Sequence, residues 1–313
     1  MPRLKSLVPT IITLLAFTAT PGCSPAAGKT PAFDQNHAFE LLKKQVGFGP
    51  RYPGAPGHDK MVGFLSEELK PCADSVDVQK FERNIRGKQL TLHNVAASFN
   101  TSAKKWVLLA AHWDSRPTAD EEILASKRKM PIPGANDGAS GVAVLLELAR
   151  SFAKRKPDIG VYMIFFDGED YGPGDNDMYL GAKYFAANMA ALAKANGKPI
   201  KFEYGILLDM IGDKNLDVYY EKQSFDAAPD VAKKVWQSAA DLGYDDAFIP
   251  RVKYAITDDH IPLIRAGIKC IDVIDFDYGP WHTLDDTVDK CSPASLKIVG
   301  ETIARVVYRE TGS

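Results

Sequence analysis

A chain of 313 residues is long enough for one large α/β domain or two smaller ones around a sizeable core. Its 45% apolar and 25% charged residues are those of an ordinary globular protein. A formal net charge of −2 and a pI near 6.3 give no electrostatic ground for a nucleic-acid partner. The runs "ADEEI" and "ASKRKM" read as solvated loop.

Residues 1–22 start with the basic "MPRLK" and continue as the apolar "SLVPTIITLLAFTA". That run is short for a membrane span and has the order of a secretory signal, so export to the periplasm or cell envelope is expected. "PGC" resembles the end of a bacterial lipoprotein signal, which would make a lipidated Cys23 the membrane anchor. Thr20 stands where that pattern has leucine, and lipidation is left open. Residues 23–35 read as a flexible tether, and 36–313 as the folded domain. Export permits disulfides. Of Cys72, Cys270 and Cys291, the last two are the better-placed pair, with three unpaired thiols as the alternative.

Helix signals lie at 36–46, 58–69, 141–155, 179–194, 228–242, 260–266 and 293–309. Strand signals lie at 75–82, 90–98, 105–111, 160–166, 203–209, 216–220 and 269–275. "WVLLAA", "VYMIFF" and "YGILLD" are nearly continuous apolar runs, as suits strands buried on both faces. The alternation predicts a three-layer α/β/α sandwich with a central mixed, largely parallel sheet. In such folds sites gather at the carboxyl ends of central strands.

The polar residues cluster at those ends. "WVLLAAHWDSRP" ends in His112 and Asp114, and "VYMIFFDGEDYG" in Asp167, Glu169 and Asp170. "YGILLDMIGD" ends in Asp209, and "IKCIDVIDFDYGPWHTLDD" in His282. Asp137 sits in the glycine-rich turn of "GANDGASGVAVLLELAR". Singly, each has a plainer reading. Asp137 could only cap a helix, His112 could be a satisfied core histidine, and Glu169–Asp170 could start a turn. Together, so many buried carboxylates are costly unless a cation neutralises them. Two histidines with several carboxylates and no thiolate suit a catalytic zinc. Of the adjacent pair Glu169–Asp170, one can bind metal while the other stays free as a proton shuttle.

The order H-x-D, N-D-G-A-S-G, F-D-G-E-D, L-D-M and H-T resembles the co-catalytic zinc aminopeptidases and their relatives, the zinc glutaminyl cyclases. "GPRYPGAPGH" at 49–58 also resembles that superfamily, and the likeness covers most of residues 36–310. By position, it implies Asp137, Asp170 and His282 as zinc ligands and Glu169 as general base. His112 and Asp209 match the ligands of a second zinc in the aminopeptidases; in the cyclases the matching residues are not metal-bound.

"TDDHIPLIRAGI" at 257–268 resembles the cyclases, whose aspartate matching Asp258 joins a hydrogen-bond network with the residue matching Asp209. "WHTLDD" is likewise cyclase-like, with Trp281 as an aromatic wall. "FFDGEDYG" with "YLGAKYFA" is similar to the bacterial branch. Two departures stand out. A second pocket tryptophan of the animal enzymes has no match in "YGPGDNDMY", and one of their histidines is replaced at Asp272. The reading taken is an exported glutaminyl-peptide cyclotransferase with one zinc, acting on peptides or proteins with N-terminal glutamine. A two-zinc aminopeptidase is the alternative.

Overall fold

The computed structural model describes residues 30–312. The expected signal and Cys23 lie outside the described residues. The chain begins with helices α1 (Gln35–Val46) and α2 (Pro56–Leu69), followed by strands β1 (Ser75–Ile85), β2 (Lys88–Phe99) and β3 (Trp106–His112). Next come α3 (Ala139–Lys154), β4 (Gly160–Phe166), α4 (Leu180–Leu192), and the short β5 (Lys194–Ala195) and β6 (Lys198–Pro199). β7 (Phe202–Asp209) and β8 (Val218–Tyr220) lead to α5 (Lys222–Ala227), α6 (Pro229–Ala240) and β9 (Phe248–Val252). The described chain closes with α7 (His260–Arg265), β10 (Cys270–Ile274) and α8 (Pro293–Arg309).

The main sheet has the order β1-β2-β4-β3-β7-β10. β1 pairs antiparallel with β2, and β2 with β4; β4, β3, β7 and β10 run parallel. The sheet is therefore mixed, with a parallel half, as the apolar runs imply. The period-two geometry of a strand sends alternate residues to opposite faces. In β3, Val107, Leu109 and Ala111 pack with Leu42 of α1, Val142 of α3 and Val299 of α8. Leu108 and Ala110 pack on the other face with Phe185 of α4 and Leu263 of α7. Both faces are dry, which is why these strands show no polar alternation.

That layering decides the cysteine question. Cys270 belongs to one core and Cys291 to the other, so the sheet separates them. Both are free thiols, as is Cys72. Of the two readings, three unpaired thiols is the one the structure shows. The expected tether also ends earlier than residue 35: Phe33 is buried against Gly300 of α8, where a Cβ would meet its ring at 2.2 Å. Asp34 then caps α1 by accepting from the His37 N–H. Among the described residues no helix is long and apolar enough to cross a membrane.

Candidate active site and metal centre

The parallel half of the sheet brings its carboxyl ends to one rim. His112 ends β3, Asp209 ends β7, Glu169 and Asp170 follow β4, and His282 follows β10. Asp137 comes to the same rim just ahead of α3. Glu169, Asp209, Asp258, Trp281, Asp137, Asp170 and His282 all line one open cleft of about 360 Å³. His112 is buried beneath it.

Asp137 is not a helix cap. The cap position is Gly138, at φ 95°, and no side chain caps the helix there. Gly138 is required because a Cβ would meet the Asp114 carbonyl oxygen at 2.3 Å. The Asp137 carboxylate is thereby freed to face the rim. Its main chain is held instead by Asp286, whose two oxygens accept the N–H groups of Asn136 (2.8 Å) and Asp137 (3.2 Å). Tyr278 donates its hydroxyl to Asp286 at 2.7 Å. The buried Arg51 of the "GPRYPG" stretch donates to the carbonyls of Trp113, Pro133 and Gly134, fixing the approach to this loop. Asp114 has the corresponding role next door. It accepts the N–H groups of Glu169 (3.0 Å) and Asp170 (3.2 Å) and so sets the turn after β4. Asp167 leaves the site altogether; it accepts from the backbone N–H of His93 and pairs with the buried His58, which anchors α2.

Among the residues at the rim, two groups of side chains converge tightly enough to hold an ion. In one, Asp137, Asp170 and His282 bring donor atoms within 4.8 Å of one another. His282 Nε2 stands 3.3 Å from Asp170 Oδ1 and 3.6 Å from Asp137 Oδ2. Donors bound at about 2.0–2.2 Å to a tetrahedral zinc stand roughly 3.3–3.6 Å apart, so the spacing fits. Asp170 Oδ1 accepts from Arg116 Nη1 at 2.5 Å, whereas its buried Oδ2 has no hydrogen-bond partner. A buried, orphaned carboxylate oxygen costs free energy that a cation would recover. Arg116 is itself clamped by Asp120, which accepts from Nε at 2.6 Å and Nη2 at 2.8 Å.

The second group is His112, Asp137 and Asp209. Here His112 Nε2 lies 3.0 Å from Asp209 Oδ1 and 3.2 Å from Asp137 Oδ1. Asp137 thus reaches toward both groups, one oxygen to each. Beside them, burial pushes the Glu169 carboxyl well above its ordinary range; His112, 3.7 Å away, pulls the other way. Burial also raises Asp209, against the pull of His112, and burial with the nearby Asp209 pushes Asp258 up to about 7. Three acids that hold protons readily therefore share one cleft.

His282 sits at φ 54° with the Trp281 ring stacked on its imidazole, centroids 3.9 Å apart. Phe276 meets Trp281 edge-on at 5.0 Å, and Tyr254 meets Phe276 at 5.3 Å, extending the aromatic wall. Tyr179 closes the cleft near Glu169 and donates its hydroxyl to the Thr257 carbonyl at 2.6 Å. The sequence reading missed Arg116, Asp286, Tyr179 and Tyr254. "DSRP" directly after the His112–Asp114 pair, and the second aspartate of "WHTLDD", were the signals available.

Asp286→Ala should weaken zinc binding by about 10- to 100-fold, the usual cost of removing a group that orients a ligand. Chelator competition measures it. Unchanged affinity would mean the Asn136–Asp137 turn is held without Asp286.

The fold and this rim define an α/β enzyme of the zinc-exopeptidase type. The chain belongs to peptidase family M28, which matches residues 94–307, and within it resembles the glutaminyl cyclases. The structure of a Zn-dependent exopeptidase from Parabacteroides distasonis is 37% identical, with a TM-score of 0.86, covering 90% of this chain and 100% of that one. Bacteroides thetaiotaomicron glutaminyl cyclase, solved with N-acetylhistamine, is 36% identical with a TM-score of 0.85 over 90% and 100% of the two chains. The glutaminyl-peptide cyclotransferase of Boiga irregularis is 25% identical across 81% of this chain and 75% of its own.

Proposed function

We propose that the protein is a zinc-dependent glutaminyl-peptide cyclotransferase, converting N-terminal glutamine of peptides or proteins to pyroglutamate with release of ammonia. The observation that carries this is the buried Asp258 in the same cleft as Glu169 and Asp209, opposite the Asp137–Asp170–His282 group. Intramolecular cyclisation needs a proton moved from one nitrogen to another, and a group of acids with raised affinity for protons serves that. The likeness to glutaminyl cyclases over nearly the whole chain supports the same reading.

Asp137, Asp170 and His282 would hold one zinc. Bound there, it supplies Lewis-acid polarisation of the substrate's γ-amide carbonyl. Glu169 takes a proton from the substrate's α-amine as the nitrogen bonds to the γ-carbonyl carbon. The same carboxyl returns the proton to the amide nitrogen as the old C–N bond breaks and ammonia leaves. Asp209 and Asp258 orient that proton transfer, and Trp281 packs on the flat glutamine side chain. One ion suffices for this reaction, because the nucleophile is the substrate's own amine and no metal-bound water is needed. Purified protein should release ammonia from a glutaminyl peptide and no free leucine from a leucyl peptide. Leucine release without ammonia would instead establish the aminopeptidase.

We also propose that the enzyme is exported and that residues 1–22 are removed, leaving Cys23 as the new first residue. Mass analysis of the N-terminus from the native host tests this. A retained Met1 contradicts export; an acyl group on Cys23 would identify the anchor.

A further inference from the structure

Behind the cleft lies a buried set of ionisable side chains that the reaction as described does not use. Glu221 caps α5, accepting from the N–H groups of Gln223 (2.8 Å) and Ser224 (2.6 Å) and from the Ser224 hydroxyl (2.7 Å). It also accepts from the N–H of Ile256 (3.0 Å) and lies 3.2 Å from His260 Nε2. Burial opposes its ionisation, but His260 and the backbone donors overcome that and hold Glu221 down at about 2. An ionised Glu221 has no proton to give, so His260 Nε2 must carry the hydrogen of their bond. The other ring nitrogen, Nδ1, points away from Glu221 and lies 3.9 Å from Asp272 Oδ2.

Asp272 is the anomaly. It is 1% exposed, and neither carboxylate oxygen has a hydrogen-bond partner. Asp258 Oδ1 accepts from the Asp259 N–H, but the buried Asp258 Oδ2 is likewise unpartnered, as is His260 Nδ1. Donor atoms of Asp258, His260 and Asp272 all lie within 4.8 Å of one another. Register explains the meeting. Asp272 stands beside Leu207 in the β10–β7 pairing, one step back on the same face from the Ile274–Asp209 pair at the rim. Two carboxylates facing each other away from water cannot both stay ionised, whereas a proton on one makes it a donor to the other.

We propose that Asp272 is a positioning residue for Asp258: the two carboxyl groups share one proton across this buried gap. His260 and Glu221 back the pair, and the shared hydrogen fixes the angle at which Asp258 faces the cleft. The inference rests on the assignment of Asp258 to the cyclisation. A cation in the same place is the rival occupant, and the two are separable.

The test compares Asp272→Leu with Asp272→Asn. Leucine offers no hydrogen and should lower kcat for ammonia release by about tenfold to a hundredfold, the scale of a small misplacement at a reacting centre, with KM little changed. Asparagine can donate from its amide and should restore most of that loss. Zinc content should be the same in all three proteins. Independently of activity, one protonated-carboxyl band of the wild-type infrared spectrum should be missing from Asp272→Asn, read in the difference between the two spectra so that the protons on Glu169 and Asp209 cancel. Wild-type kcat in the leucine variant, persistence of the band in the asparagine variant, or loss of a bound metal ion from either variant would each overturn the proposal. If the wild type released no ammonia at all, the cyclase reading would fail instead, and the infrared comparison would still decide whether the proton is shared.

Discussion

Glu169→Gln should slow ammonia release by about a hundredfold or more while leaving zinc content and fold unchanged. The physical ground is the division of labour between two adjacent residues. Asp170 faces Asp137 and His282, whereas Glu169 turns toward His112 at 3.7 Å and lines the cleft. Burial raises the Glu169 carboxyl, so it can both accept and return a proton. Glutamine keeps the size and the polar contacts but cannot take a proton. The N–H groups that set this turn bind Asp114 through the backbone, so the substitution should not disturb them. Stopped or slow turnover at full metal content is the expected result. Near-wild-type turnover would remove Glu169 from the reaction.

The second large effect concerns the ion. Asp137→Ala, Asp170→Ala and His282→Ala should each lower zinc content, since each removes one of the three converging donors. Asp170→Ala should lose the most. Arg116 Nη1 now donates to Asp170, and without that carboxylate a buried guanidinium would face the ion directly. His112→Ala should leave the content at one zinc per chain. A fall from two to one in that variant would show that the His112–Asp137–Asp209 group is also filled, and would favour the hydrolase.

Much of this architecture could be read before any coordinates. The buried strands announced themselves as unbroken apolar runs, and α8 and β4 have the predicted bounds of 293–309 and 160–166. Acids at strand exits were legible for a thermodynamic reason: a catalytic rim concentrates residue types that are otherwise expensive to bury. What stayed hidden was of two kinds. Short elements carried too little pattern. α5 has six residues, β9 contains Pro250, and the β5–β6 hairpin was signalled only by its Asn196-Gly197 turn. Supporting residues carried no local signal at all. Asp286 binds the Asn136 N–H across 150 positions of sequence, and Arg116 reaches Asp170 across 54. Asp167 misled because a strand-end acid next to Glu169 looks like part of the site until the pleat turns it toward His58. The cysteines stayed open between a bridge and unpaired thiols for a related reason, because closeness in sequence says nothing of which face of the sheet each thiol occupies.

One measurement tests the central claim most directly: mass analysis of a single peptide that begins Gln-Leu after incubation with the zinc-loaded enzyme. Both candidate reactions compete for that N-terminus, and their products differ in kind. A cyclotransferase leaves the peptide at full length, lighter by one ammonia and blocked at its amine. The geometry of Glu169, Asp209 and Asp258 around the cleft predicts that product. A peptide shortened by its first residue, with free glutamine in solution, would contradict it.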